Sequence, residues 1–157
     1  MALQVSTKFK ELLFGGTAFA DIFRDGVIYV YSGAQPASAD AAATGTLLAR
    51  VTSGGGVFTP GDPANGLRFS MAGPFVIKDP TQDWTLTGVA LGTAGWFRLM
   101  ANALDPNGLS YNYPRIDGNI GSSDSGAVFR LSSVIIQNTQ QTQIQQFALT
   151  IPPIIGA

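Results

Sequence analysis

Histidine and cysteine are both absent from this chain, so carboxylates, hydroxyls, a few lysine amines and aromatic rings are left to do any chemistry. Without an imidazole or a thiolate there is no Ser-His-Asp or Cys-His nucleophile, and the common zinc sites go with them. Glycoside hydrolysis needs two acids flanking a cleft. The single glutamate, Glu11, falls on a short amphipathic stretch. Most of the nine aspartates fall in turn signals such as Asp25-Gly26, Asp79-Pro80, Asp105-Pro106 and Asp117-Gly118. There the expected role is local, a side-chain bond to the nearby backbone. Asp105 and Asn107 resemble the start of an EF-hand loop, but the later ligands and the closing Glu are missing. The run from Gly121 to Gly126 is no phosphate loop, since no Gly-Lys-Ser/Thr follows it. Trp84 and Trp96 could stack on sugars, which makes a carbohydrate-binding module one reading. Both lie in strand patterns, where a core or interface place is the commoner fate of a large ring. No catalytic residue, metal or cofactor is expected.

Composition bounds the rest. Charged residues make up 12% of the 157-residue chain, about half the usual share of ~25%, while apolar residues at 45% are ordinary. Gly, Ser, Thr, Asn and Gln stand in for the missing charge, which leaves little to keep copies apart in solution. One explanation is a surface covered in an assembly. Net charge is −1 with no Lys/Arg cluster, so no nucleic acid is expected as a partner. No run approaches the ~18 apolar residues of a membrane span, and the first residues lack the apolar core of a signal peptide. A soluble protein made in a cytoplasm, with no membrane partner, is the expectation.

These residues need elements to position them. One domain over 1–157 is expected, with a helical lead-in at 1–24 and an apolar tail at 152–157. Ser6 can cap a helix that carries Phe9, Leu12 and Leu13 on one face, and Thr17 can cap a second, with Phe19, Ile22 and Phe23. Both stripes are too short to stand alone and must pack on their own sheet or on a neighbour. Val27 to Tyr31, five β-branched or aromatic residues between Asp25-Gly26 and Ser32-Gly33, reads as a strand buried on both faces. An Ala-rich loop containing Pro36 follows, with a turn begun at Ser38 or Asp40. Strands are then expected at Leu47–Thr52, Leu67–Met71, Phe75–Ile77, Trp84–Val89 and Trp96–Ala101, the last two as an antiparallel hairpin with a Gly-containing turn at 92–95. Residues 102–126, with Tyr111 and Tyr113, read as one long irregular stretch, of a kind that is usually functional or contact-making. The last strands, Val128–Leu131 with Val134–Ile136 and then Phe147–Ile151, read as a hairpin around the Gln-rich segment 137–146. About eight short strands with turn signals between them describe an all-β fold, an antiparallel β-sandwich or jelly-roll-like barrel with a short N-terminal helical segment.

The succession Asp25-Gly26-Val27-Ile28-Tyr29-Val30-Tyr31-Ser32-Gly33-Ala34-Gln35-Pro36-Ala37-Ser38-Ala39-Asp40-Ala41-Ala42-Ala43-Thr44-Gly45-Thr46-Leu47-Leu48 resembles a family of small tailed-bacteriophage virion structural proteins. Gly92-Thr93-Ala94-Gly95-Trp96-Phe97-Arg98, Arg115-Ile116-Asp117-Gly118-Asn119-Ile120-Gly121 and Phe147-Ala148-Leu149-Thr150-Ile151-Pro152 are similar to it too. The resemblance spans nearly the whole chain and brings no catalytic motif. It implies a β-rich particle component present in many copies and localised to the virion, assembled in the host cytoplasm. A capsid decoration or cement protein is the first expectation, and a tail, collar or fibre component the alternative. Its partners would be itself, as a trimer, and other virion proteins such as the major capsid protein. Interface candidates are Phe9, Leu12 and Leu13 on the helical segment, Pro36 in the Ala-rich loop, Tyr111 and Tyr113 in the long loop, and Pro152, Ile154 and Ile155 in the tail.

Overall fold

The computed structural model describes residues 3–151. Among them the chain runs β1 (Gln4–Val5), α1 (Thr7–Phe14), α2 (Phe19–Ile22), β2 (Val27–Ser32), β3 (Leu47–Ser53), β4 (Phe69–Ala72) and β5 (Phe75–Lys78). It continues with β6 (Trp84–Gly88), β7 (Gly92–Met100), β8 (Arg115–Ser122), β9 (Phe129–Leu131), β10 (Ile135–Ile136), β11 (Gln141–Ile144) and β12 (Ala148–Leu149). A nine-stranded sheet has the order β1-β8-β7-β2-β3-β6-β11, with β10 paired to β7 and β9 to β8; β12-β5-β4 form a second sheet. The fold is all-β, antiparallel apart from the β8–β9 pair, and sandwich-like. The expected opening strand, β2, lies at the centre of the large sheet.

Two adjacent register rows show why these residues make this sheet. One row runs Val5, Ile116, Leu99, Ile28, Val51, Leu86 across β1, β8, β7, β2, β3 and β6. Its members are apolar, and all but the half-buried Val5 are fully enclosed. The next row runs Gln4, Asp117, Arg98, Tyr29, Arg50, Thr87, Gln141, ending on β11, and every side chain in it carries a polar group. Successive strand residues point to opposite faces, so one of these rows faces the core and the other faces away from it. The small sheet and the helices cover the apolar face. Ring contacts link Phe9, Phe19, Phe69, Trp84, Phe147, Phe129 and Phe97, with successive centroids 5.2 to 5.7 Å apart, so helices and both sheets share one core.

Several expectations need correction. The lead-in is not purely helical: β1 precedes α1 and pairs with β8. Ser6 caps α1 by accepting the Phe9 N–H at 3.2 Å, but Ala18, not Thr17, is the cap of α2 and makes no side-chain bond. The stretch 102–126 is not irregular throughout, because its second half contains β8, a neighbour of β7 in the large sheet. Gly118 reads as a turn residue, yet a Cβ there would stand 2.6 Å from the Phe97 ring; the glycine makes room for that ring inside the sheet. The expected hairpin of Trp84–Val89 with Trp96–Ala101 does not form: β6 pairs with β3 and β11, and β7 with β2, β8 and β10. The turn expected at 92–95 is the start of β7, where Gly95 lets the backbone approach the Gly33 carbonyl. The C-terminal hairpin does not form either. β9 pairs with β8, β10 with β7, β11 with β6 and β12 with β5, so the Gln-rich segment supplies a sheet strand rather than a solvated tip alone.

Candidate functional site: a loop surface anchored by buried ion pairs

The polar face would be open to water if nothing covered it. Two connections, residues 33–46 and 101–114, lie over the end built by β7 and β8, and the charged side chains beneath hold them there. Arg98 on β7 and Asp117 on β8 are register partners with fully buried side chains. They meet fork to fork: Arg98 Nε donates to Asp117 Oδ1 at 2.7 Å and an Nη to Oδ2 at 2.8 Å, the two-bond geometry that makes such pairs strong. The remaining guanidinium donors leave the sheet. One reaches the Asn107 side-chain oxygen at 2.8 Å in the second loop, another the Ala41 carbonyl at 3.0 Å in the first.

Arg115, at the start of β8, repeats the device. It is enclosed and forks onto Asp105 at 2.7 and 2.6 Å, while its third nitrogen faces the carbonyls of Ala39, Asp40 and Ala41, each at 3.4 Å. Each buried cation therefore has one carboxylate, with loop carbonyls taking the leftover donors, which is what keeps charges tolerable in an interior. The Asp40 side chain reaches α1 instead and accepts the Thr7 N–H at 2.8 Å and the Thr7 hydroxyl at 2.7 Å. Ser6 joins the same knot: its hydroxyl donates to the Tyr113 carbonyl at 3.1 Å and accepts the Arg115 N–H at 2.8 Å.

Aromatic rings complete the underside. Tyr31 and Trp96 stack with centroids 4.6 Å apart, and the Arg98 guanidinium lies 5.3 Å from the Trp96 ring. The Trp96 N–H donates to the Thr44 carbonyl at 3.2 Å, and the Asn107 amide donates to the Tyr31 hydroxyl. Burial pushes the Tyr31 phenol up to about 12. Burial likewise pushes the Asp117 carboxyl above its ordinary value, with the Arg98 guanidinium pulling it back.

Of the turn aspartates, Asp79 behaves as expected, accepting the Thr81 hydroxyl at 2.7 Å and the Thr81 N–H at 2.8 Å, which lowers its pKa. Asp117 makes no turn, and Asp105 combines a turn bond to the Asn107 N–H with its ion pair. The EF-hand-like start at Asp105 is thus committed to Arg115, and no metal-binding group of acids occurs among the described residues.

The interface candidates part company. Phe9 is fully enclosed in the chain's own core, and Leu12 and Leu13 pack half-buried against it, so the helical stripe is satisfied at home. Pro36 is buried, and Tyr113 is half-buried beside Arg115. Tyr111 alone is well exposed, at 60%. Pro152, Ile154 and Ile155 lie outside the described residues. Sequence reading missed Leu104 and Leu109, which share the 101–114 loop with Tyr111 and are 78% and 68% exposed. An apolar residue in an aperiodic stretch gives no signal of its direction. Trp84 and Trp96 are both fully enclosed, so neither presents a ring face to a sugar. Comparison with family models, with curated proteins and with solved structures gives no match to this chain.

Proposed function

We propose that this chain is a non-enzymatic structural protein of a bacteriophage virion, a capsid decoration or cement protein that works as a small oligomer, with a trimer the first expectation. A tail, collar or fibre position is the alternative. The virion setting rests on the resemblance in sequence; the observation that supports a docking role is the 101–114 loop, which turns Leu104, Leu109 and Tyr111 to solvent while Asp105 and Asn107 from the same loop are tied to buried arginines. Exposed apolar side chains on a fixed frame lose little freedom on docking, so more of their burial is left as binding energy. The three share one loop, and exposed apolar surface of this kind, where it is contiguous, marks interaction sites. The low charge of the chain fits a surface that meets other subunits. The mechanism is added contact area, with each copy bridging neighbouring shell subunits such as those of the major capsid protein.

The test replaces Leu104, Leu109 and Tyr111 together by serine. The triple variant should melt within a few degrees of the parent, because the three side chains are exposed, and should co-sediment with particles at least tenfold less. Full incorporation would remove this surface from the contact, and a parent chain that never co-sediments with particles would remove the virion role.

A further inference from the structure

A second feature lies away from those loops. An open cleft of about 690 Å³ runs between β9 and β11, bordered by Phe129, Arg130 and Leu131 on one side and by Gln143 and Ile144 on the other, with Phe147 also in its lining. Both bordering strands are edges: among the described residues β9 pairs only with β8, and β11 only with β6. A strand edge carries a row of backbone donors and acceptors ready for another chain, and proteins usually guard it with charge, proline or a bulge. β11 reads Gln-Thr-Gln-Ile, with none of these guards. Its four residues extend for about 13 Å at ~3.3 Å per residue, the length of a short added strand.

We propose that this cleft is a strand-addition site for an extended peptide segment of another protein, free of proline, with alternating apolar residues and a carboxylate. The mode is fixed by the edges: main-chain bonds to β11 supply affinity, and alternate side chains reach either the apolar floor at Phe147 and Ile144 or the solvent. The charge follows from Arg130. Among the described residues it is the one charged side chain lining the cleft, its Nε donates to the Ala127 carbonyl at 3.4 Å, and no carboxylate pairs with it. A second copy is the poorer occupant. Every described strand already has a partner, and joining β11 to β11 of another copy would bring that copy's β6 towards the β9 side of the cleft.

The experiment screens the full chain against a synthetic library of random heptapeptides, with Arg130→Glu as the counter-screen. Enriched sequences should lack central proline and carry Asp or Glu. A peptide made from them should bind at least tenfold better than the same peptide with Lys for the acid or with proline at its centre. It should also slow exchange of the β11 amides. Arg130→Glu, an exposed position, should melt like the parent and prefer the Lys peptide. Absence of enrichment, or binding indifferent to proline and to Arg130→Glu, would overturn the proposal. So would a concentration-dependent dimer without peptide that Arg130→Glu dissolves, which would give the cleft to a second copy. None of these outcomes bears on the particle test above, because no lining residue belongs to the 101–114 loop.

Discussion

The polar row of the large sheet changes character from one end to the other. At the β8–β7 end, Asp117 and Arg98 lie beneath two loops with no exposed side-chain surface. At the β3–β6 end, Arg50 is exposed, with its guanidinium 5.8 Å from the Tyr29 ring and no carboxylate in reach among the described residues. Both arginines neighbour Tyr29 in register. Residue type therefore does not decide their roles; cover does. Under the loops a guanidinium must satisfy its donors with protein atoms, and in doing so it fixes the loops. In the open it is solvated and fixes nothing.

Breaking the covered end gives the largest expected effect. Asp117→Ala leaves Arg98 charged and enclosed, which should cost about 3–5 kcal/mol, read as a lower denaturant midpoint. The comparison sharpens with Arg98→Leu/Asp117→Leu, where no charge is stranded. That double variant should recover most of the loss, yet the loops would lose the Asn107 and Ala41 anchors, so limited proteolysis should cut within 33–46 and 101–114. A double variant as unstable as Asp117→Ala would mean that the pair itself, rather than the stranded charge, carries the energy.

This covered end is also where the sequence was hardest to read. Patterns that depend only on neighbouring residues came through: the buried run of β2, the alternation of Trp84 and Leu86 in β6, the Ser6 cap and the Asp79 turn. What failed was decided at long range. Asp117-Gly118 carries a turn signal, but Gly118 is small because Phe97 lies against it and Asp117 is charged because Arg98 faces it. Nothing within four residues of Asp117 reports either fact. Likewise Gln141 to Ile144 looks like polar loop until β6 is placed beside it. The 101–114 loop was half legible: it falls in the first half of the stretch read as irregular, and it contains no strand, but its anchoring by Asp105 and Asn107 needs the third dimension.

A smaller effect of the same cover should appear at alkaline pH. Tyr31 is held neutral by burial up to about 12, whereas a tyrosine in the unfolded chain ionises near ~10. Over that window the folded state keeps a proton that the unfolded state has lost, so stability falls as pH rises. The contribution is complete below pH ~10 and is lost on approaching about 12. Tyr31→Phe should flatten that part of the stability profile when melting is followed from pH ~9 to ~12, the window that brackets both pKa values. An unchanged slope would mean that the phenol is open to water in spite of the loops.

The smallest effect is expected at the open end, and it tests whether cover is the deciding variable. Arg50→Ala removes a solvated guanidinium from the same row as Arg98. Exposed charges typically contribute little to stability, and a surface change away from caps and networks usually stays within about 0.5 kcal/mol. The Tyr29 contact adds about 0.5–1 kcal/mol at an exposed site, so the total should stay below about 1.5 kcal/mol. Raising salt should weaken even that, whereas a pair shut away from solvent is screened far less. Chemical denaturation of Arg50→Ala and Arg98→Ala, each at low and high salt, measures the contrast directly. Arg98→Ala strands Asp117 and should lose about 3–5 kcal/mol, with little dependence on salt. Equal losses at the two positions would show that the loops do not exclude water, and the loop surface would then lack the fixed frame on which its proposed docking role rests.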